Sequence, residues 1–383
     1  MTCDGAATRG PACVWRYGSR SSRGRAWARA FASTPPAGRG GTIDPLHDRR
    51  AGRRGTQRES ARLKALWVTD PWETLDHPRD TTLRLVQESL ARGHATWWCD
   101  TSGLRFESRR VLARCRRVAA APVDRGAAGW TLAPPEDVAL AALDQVHYRT
   151  DPPVDRAYWE PLQLLGMAVG GRGPELVNPL RVLTAYGDKL GPPALVRAIP
   201  PTIASSSWEC LAAFGRAEGR TVLKPLGDAQ SRGVRLLDWS TGAGVHRARA
   251  EIEALSAGWS RPVVLQRFLP AIERGEKRLW FADGELLAFV CKRPQAGTFV
   301  VDMDKGSACE ACSLDAPEQR LASAIGDAFR AEGIRLAAVD LIGGQVTDWN
   351  LTSPGMIPTM ERILDRNLAG PIVDALARGA PRS

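Results

Sequence analysis

Three oxygen-bearing side chains interrupt two apolar runs near the C-terminal end of the chain. Asp340, Asp348 and Asn350 lie within residues 336–353, where β-prone residues flank a pair of glycines, and this pattern predicts a β-hairpin. With a three-residue loop over 343–345, Asp340 lies opposite Asp348, and Asn350 falls on the same face of the sheet. With a two-residue loop the register shifts by one residue and the three side chains separate.

Two carboxylates and an amide oxygen on one face would suit a hard cation, and magnesium held in this way commonly carries nucleotide phosphates. The alternative is a solvent-facing hairpin edge, and this stretch alone leaves both open. Upstream, Lys224 ends an apolar strand (220–226) and precedes a polar loop, 227–233, which begins and ends with glycine. A lysine beside such a loop suits phosphate binding, because charge and backbone N–H groups are both available. The alternative is a lysine that merely faces solvent.

The elements that must position these residues begin with an alternation of strand and helix. Apolar strands at 65–68 and 95–99 enclose an amphipathic helix at 81–92, which predicts an open α/β unit with a parallel sheet. The strand 145–148 runs into the loop 149–153, at the strand end where such sheets bind ligands. Further predicted elements are an Arg-rich hairpin over 104–123, a helical stretch ending at Leu190 before Gly191, helices at 208–218, 317–332 and 368–377, strands at 234–237 and 263–270, and a hairpin of strands 277–281 and 286–291.

Length and charge bound the class of protein. The chain has 383 residues, which is enough for two or three domains, and its apolar (44%) and charged (25%) contents are typical of a soluble globular protein. Residues 1–62 hold 13 arginines and four acidic residues, which is +9 of the formal net charge of +10. The remainder is therefore close to neutral, and this argues against a nucleic-acid partner.

The first 62 residues show neither helical nor strand periodicity, and their composition predicts disorder. An organelle transit peptide and an upstream-start artefact are the alternatives. Eight cysteines occur without a secretory signal or an apolar run of the ~18 residues that a membrane span needs, so a reducing cytoplasm is expected. Cys309 and Cys312 form the one close pair, but the two further ligands of a structural zinc site are missing.

Taken in order, these features resemble the ATP-grasp carboxylate–amine ligases, and most closely the bacterial glutathione synthetases. The resemblance extends over about residues 64–365. It is carried by Asp70-Pro71, Arg79-Asp80-Thr81-Thr82, Arg149-x-Asp151-Pro152-Pro153, Val177-Asn178-Pro179, Asp188-Lys189-Leu190, Leu223-Lys224-Pro225-Leu226, Gln266-x-Phe268-Leu269-Pro270, Gly275-Glu276-Lys277-Arg278, Asp283-Gly284, Asp340, and Thr347-Asp348-x-Asn350-x-Thr352-Ser353-Pro354.

The resemblance implies an α/β (α+β) chain in which an open parallel α/β domain precedes an ATP-grasp fold. We expect a disordered tail at 1–62, an N-terminal substrate domain at 63–180 and an ATP-grasp domain at 181–383. A phosphate-loop subdomain is expected at about 190–262. Family members assemble as oligomers, and the sequence leaves the oligomeric state of this chain open.

The resemblance also implies roles for individual residues. Lys189 and Lys224 would hold ATP phosphates, and Arg278 would act on the transferred phosphoryl group and the acceptor carboxylate. Residues that would bind the rest of ATP are Gln266, Arg267, Phe268 and Leu269 at the adenine, Glu276 at the ribose, and Asn350. Asp340, Asp348 and Asn350 would bind Mg²⁺, with Mn²⁺ as an alternative, although Asp348 stands where glutamate is usual. Residues that would contact the small-molecule substrates are Arg149, Asp151, Lys292 and Ser353.

The implied reaction is phosphoryl transfer from ATP to a carboxylate, followed by attack of an amine on the acyl phosphate. In glutathione synthetases these substrates are γ-glutamylcysteine and glycine. Two departures keep alternatives open: the phosphate loop 227–233 has fewer glycines than the family's, and residues 296–306 replace a segment that helps to bind the peptide substrate. Lys292 also stands in place of arginine. A ligase with a different substrate pair and an inactive nucleotide-binding protein are the alternatives.

Overall fold

A computed structural model of the chain describes residues 62–122, 129–169, 173–303 and 305–379. The tail predicted for residues 1–62 lies outside these ranges except for its last residue. Among the described residues, no helix has both the length and the apolar character needed to cross a bilayer.

The first sheet carries the N-terminal half of the site. Its strands run in the order β3-β4-β2-β1-β6-β7, with β5 on the outer side of β4. β1 pairs in parallel with β2 and β6, and β6 pairs in parallel with β7, as the strand–helix–strand pattern predicted. The elements of this region are β1 (Lys64–Thr69), α1 (Thr81–Ala91), β2 (Ala95–Asp100), β3 (Leu104–Glu107), β4 (Arg110–Ala120), β5 (Thr131–Ala139), β6 (Gln145–Tyr148), α2 (Arg156–Ala168) and β7 (Glu175–Val177).

The predicted Arg-rich hairpin is confirmed as β3 and β4, and it extends the parallel strands with an antiparallel edge. The helix α2 and the strand β5 were not predicted. β5 contains Pro134 and Pro135, which normally argue against a strand, but it pairs only with β4, where missing N–H groups are tolerated.

The second sheet is antiparallel, in the order β10-β9-β11-β8. The elements around it are α3 (Leu180–Ala185), α4 (Gly187–Leu195), β8 (Thr202–Ser205), α5 (Trp208–Glu218), β9 (Arg220–Pro225), β10 (Arg235–Asp238), α6 (Gly242–Leu255) and β11 (Val263–Arg267). The predicted helix end at Leu190 was wrong, because α4 continues through Gly191, Pro192 and Pro193 to Leu195. Proline already has a helical φ, so a helix of nine residues loses only the two N–H donors.

The third sheet is antiparallel in the order β14-β13-β12-β15-β16. Its region contains β12 (Glu276–Ala282), β13 (Glu285–Arg293), β14 (Ala308–Glu310), α7 (Ala316–Glu332), β15 (Leu336–Ile342), β16 (Gln345–Asn350), α8 (Ile357–Leu364) and α9 (Ala369–Gly379). Because side chains alternate along a strand, Leu279 and Val339 pack with Phe329 of α7 in one core, while Arg278 and Asp340 face the other way.

The C-terminal hairpin has a different loop from the predicted one but the predicted register. Its turn has two residues, Gly343 and Gly344, both with positive φ (56° and 74°), as a tight hairpin turn of this length requires. Such a loop alone would separate the candidate ligands. A β-bulge at Thr347 shifts the pairing by one residue and restores Asp340 opposite Asp348.

Candidate active site

Four charged side chains contact one another on the face of the third sheet opposite α7. Arg278 of β12 makes a bidentate pair with Asp340 of β15, donating from Nε at 2.9 Å and from Nη2 at 2.6 Å. Lys292 of β13 lies 3.1 Å from Asp340 Oδ1 and also forms an ion pair with Glu276. The strand register explains the cluster, because Arg278 is directly opposite Asp340 and Glu276 is directly opposite Lys292.

Burial and charge act against each other in this cluster. Burial alone would raise the pKa of Asp340, but Arg278 and Lys292 outweigh it and hold the pKa well below its usual range. For Glu276, burial and the nearby Asp340 raise the pKa despite the contact with Lys292. Asp340 is therefore the fixed negative charge of this face, and Glu276 is the weaker acid.

Two lysines reach the hairpin from the second sheet and from α4. Lys189 Nζ lies 3.3 Å from Asp348 Oδ2. Lys224 Nζ donates to Gln266 Oε1 at 3.0 Å and to the backbone oxygen of Thr347 at 2.8 Å. The carbonyl that Lys224 contacts thus belongs to the bulged residue of β16. Burial lowers the pKa of Lys224, whereas for Lys189 the carboxylates nearby outweigh burial and raise the pKa.

The end of β11 forms the opposite side of the cavity. Gln266 links Lys224 to Thr202, donating to its hydroxyl at 3.1 Å. The guanidinium of Arg220 stacks over the Phe268 ring at 4.4 Å from its centroid, and Arg267 pairs with Glu218. The Phe268 ring therefore has a fixed position at the cavity wall, held by a cation–π contact.

The first sheet contributes a wall through the loop after β6. Arg149 is buried, and it donates to the Thr82 hydroxyl at 2.8 Å and to the backbone oxygen of Pro354 at 2.9 Å. Burial raises the pKa of Asp151, although a hydrogen bond from Ser353 opposes this shift. Arg149 and Asp151 thus connect the first sheet to the turn that follows β16.

Two loops form the rim of the cavity and contact each other. The Ser231 hydroxyl donates to the backbone oxygen of Val301 at 3.0 Å, and the Phe268 and Phe299 rings meet edge to face with centroids 6.0 Å apart. Gln230 and Ser231 have φ values of 54° and 58°, in the left-handed region that favours glycine. The loop has therefore kept a glycine-like backbone at positions that carry side chains.

Every candidate site residue predicted from the sequence lines a single cavity of about 590 Å³. They are Arg149, Asp151, Lys189, Lys224, Gln266, Arg267, Phe268, Leu269, Glu276, Arg278, Lys292, Asp340, Asp348, Asn350 and Ser353. This volume is within the range of small-molecule and cofactor sites.

Comparisons with known proteins agree with this arrangement. The family model for the prokaryotic glutathione synthetase N-terminal domain matches residues 63–183, and that for the prokaryotic glutathione synthetase ATP-grasp domain matches residues 188–365. The glutathione synthetase of Parasynechococcus marenigrum (strain WH8102) is 32% identical over 315 residues, which cover 82% of this chain and 99% of that protein. The glutathione synthetase of Xanthomonas campestris pv. campestris is 30% identical over 319 residues, covering 83% and 98%. The chain belongs to the prokaryotic glutathione synthetase family. It is an ATP-grasp ligase that uses ATP to form a C–N bond.

Solved structures of more distant ATP-grasp enzymes share the fold. D-cycloserine synthetase DcsG superposes with a TM-score of 0.56 at 17% identity, covering 82% of this chain and 99% of that one. The ATP-grasp ligase PsnB, complexed with a minimal precursor, gives a TM-score of 0.54 at 17% identity, with coverages of 82% and 99%. The predicted fold class, an N-terminal α/β domain followed by an ATP-grasp domain, is confirmed.

The donor set of this glutathione synthetase family member fits a magnesium ion in type. Among the described residues, no three His, Cys, Asp or Glu side chains come together to hold a metal. A cation would therefore depend on the carboxylates of Asp340 and Asp348, the Asn350 amide and oxygens of the nucleotide, which is how Mg²⁺ is commonly held. Asn350 Nδ2 is 3.5 Å from Asp340 Oδ2, so the two side chains are adjacent. Cys309 and Cys312 are free thiols.

Sequence reasoning missed two features of this family member's site. Asp188 is buried at the cavity and accepts from the backbone N–H of Leu351 at 2.8 Å, and burial raises its pKa to about 6. The ion pair between Glu276 and Lys292 was also missed. Counting outward from the Asp283-Gly284 turn would pair Glu276 with Cys291. A register shift between Trp280 and Phe281 brings Lys292 opposite Glu276 instead, and the local sequence pattern gave no signal for that shift.

Proposed function

We propose that this protein joins the carboxylate of γ-glutamylcysteine to the amine of glycine at the expense of ATP. The carboxylate receives the terminal phosphoryl group of ATP, and the amine displaces phosphate from the acyl phosphate. One observation carries the proposal, which is that a single cavity is lined by all the charged residues the reaction needs. They are the two lysines expected to bind phosphate, Lys189 and Lys224, the hairpin carboxylates Asp340 and Asp348, and Arg278 of β12.

The charged residues would have different roles according to their positions in the cavity. Lys189 and Lys224 would bind the phosphates from the side of α4 and β9, since both ammonium groups lie beside the hairpin. Arg278 would stabilise the negative charge on the phosphoryl group in transfer, with Asp340 fixing its orientation through two hydrogen bonds. Catalysis of this type depends on positioning and charge neutralisation, and no side-chain nucleophile is required.

Magnesium, when bound, neutralises phosphate charge and orients the phosphoryl group. Asp340, Asp348 and Asn350 would hold it, and Mn²⁺ would use the same oxygen donors. In the described structure both Asp340 oxygens already accept from Arg278, so a cation would have to share this carboxylate with the guanidinium.

The nucleoside would lie along the end of β11. The backbone from Gln266 to Leu269 offers hydrogen-bonding groups for the adenine, and the Phe268 ring lies at the same wall of the cavity. Glu276 was assigned to the ribose hydroxyls by resemblance. Its contact with Lys292 supports a further role as the counter-charge that keeps Lys292 in the site.

The γ-glutamylcysteine would lie between the residues that the two proposed domains supply to the cavity wall. Arg149 offers a buried guanidinium, and Asp151 and Ser353 offer acceptors and a hydroxyl on the same wall. Lys292 would supply a positive charge near the acceptor carboxylate, as a single ammonium rather than the fork of an arginine. Phe299 and Val301 make the rim at residues 296–303 more apolar than the family segment they replace.

The direct test is phosphate release by the full-length protein with ATP, Mg²⁺, γ-glutamylcysteine and glycine, with each component omitted in turn. We expect turnover only with all four, and mass spectrometry should identify the tripeptide. Turnover with another amine but not with glycine would contradict the proposed substrate pair. ATP binding without turnover for any tested pair of carboxylate and amine would contradict the ligase activity.

We further propose that the domains divide near residue 180 and that a phosphate-loop subdomain extends over about 190–262. The protein would act in a reducing, cytoplasmic environment, which the free thiols of the six described cysteines would suit. A homo-oligomer is the expected assembly, which light scattering of the full-length chain would test.

A further inference from the structure

The short helix α4 contacts the hairpin strand β16 and the turn after it at three successive points. Lys189 pairs with Asp348, as described above. Two residues further on, Gly191 lies so close to Trp349 that an added Cβ would be 2.8 Å from the ring carbon Cε3. One residue earlier than the lysine, Asp188 accepts from the N–H of Leu351. The helix therefore follows the strand closely, and its two polar contacts flank the candidate ligand Asn350.

The carboxylate of Asp188 is hydrogen-bonded to the protein backbone. Only 7% of its surface is exposed, and its carboxylate accepts from Leu351 N at 2.8 Å. A buried carboxylate is costly unless it is well hydrogen-bonded, and a backbone N–H that donates to a carboxylate makes a strong, directional contact. This bond fixes the start of α4 relative to the turn.

The same turn is held from its other side. Arg149 donates to Pro354 O at 2.9 Å, and Asn178 Nδ2 donates to Leu351 O at 2.9 Å. The segment that follows Asn350 is thus clamped between the first sheet and α4. Among these contacts, that of Asp188 comes from α4, the helix that also carries Lys189.

We infer that Asp188 is a positioning residue that sets the separation between Lys189 and Asn350 by holding the N–H group of Leu351. The inference rests on the proposed function only in that ATP phosphates bind between these two residues. Without the carboxylate, α4 loses its fixed position on the turn. Lys189 and the Asn350 amide are then no longer at the separation that binding the same nucleotide requires. Asp188 itself contacts neither phosphate nor metal in this account.

The test compares Asp188→Ala with Asp315→Ala by calorimetric titration of ADP and ATP in the presence of Mg²⁺, without acceptor or amine. Asp315 is a matched control, because its carboxylate also accepts a backbone N–H (Glu318 N, 2.8 Å), at the start of α7. We expect Asp188→Ala to bind nucleotide about tenfold more weakly, the size of one lost charged hydrogen bond. We expect Asp315→Ala to lower the melting temperature while leaving nucleotide affinity unchanged.

Wild-type nucleotide affinity in Asp188→Ala, with only a lowered melting temperature, would overturn the inference. Should that variant fail to fold, Gly191→Ala decides, because a methyl group against Trp349 pushes α4 away from β16 without changing any charge. Weakened nucleotide binding in Gly191→Ala supports the inference, and unchanged binding overturns it. Since no acceptor is present in these titrations, a failure of the proposed substrate pair would leave the result intact.

Discussion

The charged face of the third sheet and the rim of the cavity both line the candidate site, but their residues are held in place by different means. On the face, Arg278, Asp340, Glu276 and Lys292 stand on paired strands, and register alone brings each to its partner. On the rim, the loops 227–233 and 296–303 contact each other through side-chain to backbone contacts, such as that of Ser231 with Val301. The charged groups of the face are therefore placed by the sheet, whereas we expect the choice of substrate to depend on the rim loops, in which this chain departs from the family.

The largest effect should come from the hairpin carboxylate that faces the lysine. We expect Asp348→Ala to lower kcat by about a thousandfold or more, since it removes both a proposed magnesium ligand and the partner of Lys189. Phosphate release measured over a range of Mg²⁺ concentrations checks this. Asp348→Glu is the matched control, because glutamate is usual at this position in the family and should retain turnover. Unchanged activity in Asp348→Ala would remove the residue from the metal site and weaken the contrast between face and rim.

A smaller loss is expected for Arg278→Lys, which keeps the charge but replaces two hydrogen bonds to Asp340 with one. We expect kcat to fall by about a hundredfold with a lesser change in KM for ATP, because the fork acts on charge that develops during phosphoryl transfer. The matched control is Arg293→Lys, whose exposed pair with Glu310 lies on the neighbouring strand and away from the cavity. Equal losses in both variants would show that the effect is not specific to the site.

The next prediction concerns the free energy of unfolding, to which the buried ion pair of the charged face should contribute. Lys292→Met leaves Glu276 buried without its counter-charge, and breaking a buried pair in this way costs about 3 kcal/mol or more. Burial and the nearby Asp340 already raise the pKa of Glu276 above its ordinary 4.5, and the loss of Lys292, which opposes that shift, raises this pKa further. A raised acid pKa means that stability falls as pH rises through that range, so the penalty of Lys292→Met should be larger at pH 7 than at pH 5. Urea unfolding at both pH values measures this.

Two controls make this prediction specific. Adding Glu276→Gln to Lys292→Met should recover most of the lost stability, because the unpaired charge is then gone. Lys277→Met should cost about 1 kcal/mol or less, since Lys277 faces away from the site and its pair with Glu318 is partly exposed. An equal penalty for Lys277→Met and Lys292→Met would mean that the buried cluster has no special energetic role.

The sequence allowed the face to be predicted far better than the rim. Apolar alternation predicted the strands that carry Arg278 and Asp340, and motif order linked them to a family. The hairpin loop was predicted with the wrong length, because the bulge at Thr347 compensates by one residue for a loop that is one residue shorter, and no local pattern reveals this. The contact of Asp188 with Leu351 joins residues that are far apart in the chain, so it depends on how α4 packs, which a local pattern does not encode.

The smallest expected effect lies in the rim, at the left-handed residue Gln230 (φ 54°). Glycine adopts this conformation without the steric cost of roughly 1 kcal/mol that a side chain meets, but it also loses more entropy on folding, so the two terms nearly cancel. We therefore expect Gln230→Gly to change KM for ATP by about twofold at most. Gln230→Val should raise that KM by roughly fivefold, because a β-branched residue resists positive φ and favours a loop that does not close over the phosphates. Steady-state kinetics with saturating γ-glutamylcysteine and glycine measures both, and a Val variant indistinguishable from wild type would mean that the loop backbone is free to choose another conformation.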